Sequence, residues 1–288
     1  MPTFHAPPGG TTAPTTAGPL GAARRHRVRS TGDPGAPVLL LVHGFGTDQQ
    51  SWDGVLPALA PHHRVVVLDQ AGAGGFDPAA YDRCRYSSLD GYAADLVQVC
   101  AELDLRDVVV VGHSVSSMII ARAALLAPER FAQLVMIAPS ARYVDDPAAG
   151  YDGGFSAADI DELLDSLDQN FLSWTTTVAP MVMGNPGRPE LGEQLTGSFR
   201  QLHPDNARDF ARATFLTDSR DLLTRVVTPT VVLQSRDDAL APDSAVREVV
   251  ARLPRATLVA LRASGHCPHI SDPAETAAAI LAHLPGRP

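Results

Sequence analysis

The chain has 288 residues, 45% hydrophobic and 19% charged, enough for a large buried core in one α/β domain or two smaller ones. Its 23 Lys and Arg against 32 Asp and Glu give a formal charge of −9, which argues against nucleic acid and anionic membrane as partners. Cys84, Cys100 and Cys267 are odd in number and widely spaced, so they make no disulfide framework. No apolar run approaches the roughly 20 residues of a membrane span, and the N-terminus lacks the apolar stretch of a signal peptide. We expect a soluble cytoplasmic protein.

Residues 1–23 are rich in Pro, Thr and Gly and read as a disordered tail. His26-Arg27-Val28-Arg29-Ser30 alternates like an edge strand. Val38-Leu39-Leu40-Leu41-Val42 and Arg64-Val65-Val66-Val67-Leu68-Asp69 are continuous apolar runs, as expected of strands covered on both faces. A short helix is predicted over 52–59 between them, and a longer one over 88–103, where apolar residues fall on one helical face. The run Asp107-Val108-Val109-Val110-Val111, a small-residue helix over 116–124 and the strand Leu134-Val135-Met136-Ile137-Ala138 follow. This alternation predicts a mainly parallel sheet with helices on both sides.

The alternation stops near Ser140. Only helical patterns follow, over 157–168, 171–182, 190–202 and 206–216, with breaks at Asn185-Pro186-Gly187, Pro189 and His203-Pro204-Asp205. The sheet pattern returns with a strand over 230–234, a helix over 243–253, a strand over 256–261 and a last helix over 273–284. The helical block reads as a lid over the C-terminal strand ends, where open α/β sheets bind ligands. The expected division is a core of 24–140 and 218–288 around a lid of 141–217.

Val111-Gly112-His113-Ser114-Val115-Ser116 lies between a strand and a helix, the setting of a nucleophile elbow. Gly112 meets the demand for a small residue, and Ser116 stands where glycine is usual. The elbow exposes the Ser114 hydroxyl and aims the Val115 N–H at the same point, at a helix N-terminus that favours negative charge. In this arrangement an acid and then a histidine follow the serine. Ser235-Arg236-Asp237-Asp238 and Ser264-Gly265-His266-Cys267-Pro268-His269 both follow strands, so nucleophile, acid and base all fall at one sheet edge. His43-Gly44-Phe45-Gly46 stands where a second oxyanion donor belongs, and we assign that role to the Phe45 N–H; His43 itself reads as a structural hydrogen bonder.

Other signals are weaker. Gly72-Ala73-Gly74-Gly75 lacks the spacing of a dinucleotide loop, and no cofactor is expected. Cys267 and His269 have no second ligand pair, so no metal is expected. His62 and His63 read as solvated. Phe171, Trp174, Phe199, Phe210 and Phe215 read mostly as lid core, with one or two facing the pocket.

Together, His43-Gly44-Phe45-Gly46-Thr47-Asp48-Gln49, Gly112-His113-Ser114-Val115-Ser116, Gly153-Gly154-Phe155 and Gly265-His266-Cys267-Pro268-His269 resemble the α/β-hydrolase superfamily. Within it they resemble the group holding the bacterial stress-response hydrolase RsbQ and the plant karrikin and strigolactone receptors. The resemblance implies a V-shaped lid of four helices over a hydrophobic pocket. It implies a triad of Ser114, Asp238 and His266, with Asp238 preferred to Asp237 by its spacing from Gln234 and Pro242. Phe45, His113, Val115, Trp174, Val178 and Phe215 are the expected substrate-binding positions; Val178 falls where the plant receptors carry an aromatic, which implies a wider pocket. Two functions follow as expectations. One is a serine hydrolase for a small hydrophobic ester or lactone. The other is an RsbQ-like signalling hydrolase or receptor that binds or slowly turns over a small ligand and activates a partner protein.

Overall fold

The computed structural model describes residues 21–286. Among them, strands β1 (Arg29–Thr31), β2 (Val38–Val42), β3 (Arg64–Leu68), β4 (Val108–His113), β5 (Phe131–Ile137), β6 (Thr230–Arg236) and β7 (Ala256–Ser264) form one sheet in the order β1-β3-β2-β4-β5-β6-β7. β1 runs antiparallel to β3, and every other neighbouring pair is parallel. The helices are α1 (Ala22–Arg25), α2 (Leu56–Leu59), α3 (Leu89–Glu102), α4 (Val115–Leu126), α5 (Ala157–Gln169), α6 (Phe171–Met183), α7 (Pro189–Arg200), α8 (Pro204–Phe215), α9 (Arg220–Leu223), α10 (Asp243–Arg252), α11 (Pro268–Ser271) and α12 (Pro273–Ala282).

The unbroken apolar strands sort their side chains to two cores. Leu40, Val42, Val66 and Val110 pack with Leu96, Met118, Ile119 and Val246 on one face. Leu39, Leu41, Val65 and Val111 pack with Trp52, Leu59 and Ile280 on the other. Strands buried on both faces need no polar alternation, which is why these runs read as continuous.

Helices α5 to α8 lie between β5 and β6 in the chain. Each has a local reason to start. At α5 the Ser156 hydroxyl accepts from the Asp159 N–H (3.2 Å) and the Asp159 carboxylate accepts from the Ser156 N–H (2.8 Å), a reciprocal cap. Asn170 caps α6 by accepting from the Ser173 N–H at 3.0 Å. Pro189 and Pro204 each open a helix at its first turn, where the missing N–H costs nothing. The segment around Pro204, expected as a break, is therefore the start of α8. α6 packs on α7, and α5 packs on both α6 and α8.

Other expectations shift in detail. The tail expected over 1–23 lies, up to residue 20, outside the described residues; its last residues enter α1, where Ala22 is buried and the Ala23 N–H donates to Glu102 Oε2 at 3.2 Å. The edge strand begins at Arg29 rather than His26, because His26 turns inward: its Nδ1 bonds the Asp69 carbonyl at 2.8 Å and its Nε2 lies 3.3 Å from Asp95 Oδ2. The helix expected over 52–59 is two pieces, a 3-10 turn Gln49–Trp52 and then α2, with Gly54 between them packed against Pro273. The single-turn helices α9 and α11 are too short to carry a periodic signal. No helix among the described residues is long and apolar enough to cross a membrane.

Candidate active site

The C-terminal ends of β2, β4, β6 and β7 bring four loops together. After β4 the chain turns so sharply that Ser114 has φ 56° and ψ −127°, a conformation an L-residue adopts only when its surroundings impose it. Gly112 permits the turn: a Cβ there would lie 2.6 Å from the Ser116 carbonyl oxygen. Val115 opens α4, so its N–H has no carbonyl one turn earlier to donate to.

Ser116 explains its own departure from glycine. It is wholly buried, its hydroxyl donates to the His43 carbonyl at 2.5 Å, and it accepts from Gln70 Nε2 at 2.8 Å. The Gln70 amide also donates to the His43 carbonyl, at 2.5 Å. The serine thereby ties the loop after β2 to the elbow. His43 is held on both sides: the Gln70 N–H donates to its Nε2 at 2.9 Å, so Nδ1 carries the proton and donates to the Gly44 carbonyl at 2.9 Å. Burial keeps its pKa below the ordinary value. Gly44 lets this loop approach, since a Cβ there would stand 2.6 Å from His113 Nδ1 and 3.2 Å from the Ser114 Cβ. Sequence reasoning placed His43 but missed Gln70; its only signal was a polar residue just past the end of β3.

His266 Nε2 stands 2.7 Å from Ser114 Oγ, and its Nδ1 lies 2.9 Å from both carboxylate oxygens of Asp238. Asp238 Oδ1 also accepts from the N–H groups of Leu240 (2.9 Å) and Ala241 (3.0 Å). The carboxylate is thus fixed by backbone, and its bond requires the proton on His266 Nδ1, leaving Nε2 free to accept from Ser114. Asp237 is exposed; Ser264 Oγ donates to its Oδ2 at 3.3 Å, and it does not reach the imidazole.

Behind His266 lies a row of buried rings. His113 Nε2 donates to the His266 carbonyl at 2.8 Å, and its ring centroid lies 5.0 Å from that of His266 and 4.4 Å from that of His269. His269 in turn lies tilted against Trp52, with centroids 4.5 Å apart. Burial, reinforced by the neighbouring imidazoles, holds His113 well below its ordinary pKa and His269 down to about 3. Both are neutral spacers. His113 therefore supports the His266 loop as well as lining the cavity.

α6 also reaches this loop. The Val182 carbonyl accepts from the His266 N–H at 3.0 Å, and Asn185 Nδ2 donates to the carbonyls of Met183 (2.7 Å) and Ser264 (2.9 Å). The approach is so tight that a Cβ on Gly265 would overlap the Met183 carbonyl oxygen.

Ser114 and His266 open into a tight cavity of about 30 Å³, little more than the space of a water molecule. Phe45, His113, Trp174, Val178 and Phe215 all line it. The Val115 side chain packs instead into the core on one sheet face and does not line the cavity. Phe45 meets Phe199 and Phe215 edge-on, with centroids 5.5 and 6.3 Å apart. Of the aromatics read as mostly core, Trp174, Phe199 and Phe215 face the cavity, while Phe210 stacks on Tyr92 at 4.4 Å and Phe171 on Trp174 at 6.5 Å. The narrowness does not follow the expectation drawn from Val178: the other rings close in on the space. Tyr143, Leu163, Leu195, Leu240 and Cys267 also line the cavity. Tyr143 falls where the periodic pattern lapses, so no periodicity marked it.

The model of the α/β-hydrolase fold family matches residues 37–273, and the chain belongs to that family. Within it, the chain is 34% identical to a probable esterase of Oryza sativa subsp. japonica, over 90% of this chain and 95% of that one. It is 35% identical to "Karrikin insensitive 2 receptor IA" of Petunia hybrida, over 87% and 91%. Among solved structures, a hydrolase from Oleispira antarctica superposes with a TM-score of 0.88 at 37% identity, covering 91% of this chain and 95% of that one.

Proposed function

We propose that this chain is a serine hydrolase for a small hydrophobic ester or lactone, with Ser114 as nucleophile, His266 as general base and Asp238 as its orienting acid. The observation that carries the reading is the line Ser114 Oγ, His266 Nε2, His266 Nδ1, Asp238, with contacts of 2.7 and 2.9 Å, at the floor of a narrow apolar cavity. Ser114 Oγ attacks the carbonyl while His266 Nε2 takes its proton; Asp238 stabilises the imidazolium. The N–H groups of Phe45 and Val115 hold the oxyanion, worth about 3 kcal/mol per donor in measured cases. His266 then gives the proton to the leaving oxygen, and water hydrolyses the acyl-enzyme by the same relay. No step draws on a cofactor or metal.

In this reading the segment 141–217 is a lid on a core of 24–140 and 218–288. Its narrow cavity favours compact acyl groups, because small-molecule sites bury most of the ligand they select. The test is a panel of p-nitrophenyl esters of rising acyl length, run beside butenolide lactones, with Ser114→Ala as control. Turnover of short esters or lactones that Ser114→Ala abolishes is expected; turnover that survives in Ser114→Ala overturns the assignment.

A second reading is that the hydrolase signals to a partner protein. Its support is the hydrogen bonding of Val182 in α6, and of Asn185 just beyond it, to the loop that carries His266. The similarity to a karrikin receptor adds to it. A signalling hydrolase needs a long-lived ligand-bound state, because a ligand shifts a conformation only by its differential affinity. Rapid mixing with a chromogenic ester then gives a burst followed by slow turnover. A linear trace at about 10 s⁻¹ or more leaves a plain esterase.

A further inference from the structure

In the hydrolase proposed above the Phe45 N–H holds the oxyanion, yet no member of the Ser114, His266, Asp238 line orients it. Its own peptide shows what does. The Gly44 carbonyl and the Phe45 N–H share one trans peptide, so they point in opposite directions. Whatever holds the carbonyl therefore aims the N–H. That carbonyl accepts from His43 Nδ1 at 2.9 Å and from Thr47 Oγ1 at 3.2 Å. Gly46, with φ +85°, turns the chain so that Thr47 reaches back to it, and a Cβ on Gly46 would overlap the Phe199 ring. The Phe45 N–H itself donates to no group among the described residues.

The preceding peptide is held as firmly. The His43 carbonyl accepts from Ser116 Oγ and from Gln70 Nε2, each at 2.5 Å, while the Gln70 N–H fixes the His43 ring at 2.9 Å. Asp69, next to Gln70, secures the far end of the same loop. Its Oδ1 accepts from the Gln49 N–H at 3.0 Å and its Oδ2 from the Gly75 N–H at 2.8 Å. The stretch Gly72-Ala73-Gly74-Gly75 wraps this carboxylate: Gly74 has φ +51°, and a Cβ there would lie 2.5 Å from Asp69 Cγ. Thr47, Asp69, Gln70 and Ser116 are each 3% exposed or less, and none of them lines the cavity. They meet no substrate; they meet the loop that does.

Resting on the serine-hydrolase reading above, we propose that Thr47 and Gln70 are positioning residues for the oxyanion: they hold the carbonyls of Gly44 and His43 so that the Phe45 N–H faces the oxygen that turns negative when Ser114 attacks. Ser114 stands close enough for this, since a Cβ on Gly44 would lie 3.2 Å from the Ser114 Cβ. The ground-state carbonyl gains little from the N–H, whereas the tetrahedral intermediate carries its charge on that oxygen. Loss of aim therefore lowers kcat and leaves KM nearly unchanged. It also leaves the titration of His266 untouched, because neither residue contacts the imidazole or Asp238.

The test compares wild type, Thr47→Val, Thr47→Ser, Gln70→Leu and Ser114→Ala on p-nitrophenyl acetate, with trifluoroacetone as inhibitor and thermal melts as a folding control. Trifluoroacetone mimics the intermediate: Ser114 Oγ adds to its carbonyl carbon, the serine proton passes to His266, and the ketone oxygen becomes the oxyanion. Thr47→Val keeps the shape and removes the hydroxyl. Its kcat is expected to fall about tenfold, the worth of one hydrogen bond, with KM within about twofold, and its Ki for trifluoroacetone should rise by the same factor as kcat falls. Gln70→Leu should behave alike, and Thr47→Ser, which keeps the hydroxyl, should restore kcat. The pH of half-maximal rate should stay where it is in every variant. Should Gln70→Leu fail to fold, the Thr47 pair still decides. Wild-type kcat in Thr47→Val, a fall in kcat with an unchanged Ki, or a shifted pH profile overturns the positioning role. If Ser114→Ala retains turnover, the serine-hydrolase reading itself fails, so the two failures are distinguishable.

Discussion

At the sheet edge, the site side chains are held by backbone. Asp238 is fixed by two N–H groups, Ser114 by its turn, His43 by Gln70 and Gly44, and Gly44, Gly112 and Gly265 stand where segments press together. The cavity wall supplied by α5 to α8 is held differently, by rings and aliphatic side chains packed on one another, with helix caps fixing only where each helix begins. Backbone hydrogen bonds have one geometry, whereas apolar packing tolerates substitution of similar volume. In the proposed hydrolase the chemistry would be set by the sheet loops and the choice of ligand by the helices.

Substitutions should divide along that line. The largest expected effect is in the loops: Ser114→Ala lowers ester turnover at least about a thousandfold with an unchanged melting temperature, read by steady-state kinetics and circular dichroism. Asp238→Asn lowers kcat by a similar order, because it loses the charge that stabilises the His266 imidazolium, while Asp237→Asn stays within about threefold. Reversal of that ranking would move the acid to the neighbouring residue. Asn185→Ala, at the junction of the two regions, lowers kcat by about ten- to hundredfold through misplacement of His266. Retention of full activity in that variant would separate α6 from the site. Phe199→Ala in the wall should leave acetate turnover dominant but raise the relative rate on hexanoate about tenfold, since each methylene in an apolar pocket is worth roughly 1 kcal/mol or more. An unchanged acyl-length profile would place the selecting surface elsewhere.

The smallest effect is on stability with pH. An unfolded imidazole protonates near the ordinary 6.5, whereas His269 does so only near 3 and His43 and His113 are lowered in the same direction. Between those values the unfolded chain binds more protons, so stability present above about pH 6.5 is lost as pH falls. The melting temperature should drop from pH 7 to pH 5, and His269→Phe should flatten the drop. A flat profile in the parent chain would mean that these rings are not buried neutral.

The same division explains what could be read before any coordinates. The strand runs and the elbow carry their signals locally, in apolar continuity and in Gly112, Ser114 and His266, and these fall together at the sheet edge. The order of Ser114, Asp238 and His266 was legible for the same reason. The width of the cavity was not: Val178 alone suggested room, and the space depends on how Phe199, Phe215 and Leu195 close from separate helices. Tyr143 and Gln70 escaped because each meets the site from a distance in sequence, Tyr143 by lining the cavity and Gln70 by its bonds to His43 and Ser116, and sits where no period applies. His26 escaped because its alternating neighbours suggested a strand while its ring found a buried partner in Asp95.

The carbonyl of Val182 and the amide of Asn185 bear on how freely such helices can be exchanged. An insert that only shaded the site could be transplanted between members of a fold family like an interchangeable part. Here its second helix supplies a hydrogen-bond acceptor to the backbone of His266, and Asn185 just beyond that helix supplies a donor to Ser264. A chimaera that grafts foreign helices onto this sheet has to keep residues 182–185, or it inherits Ser114 without a seated His266. Recombination points that preserve function therefore lie beyond Asn185 and before α6, not at the boundaries of the helical segment.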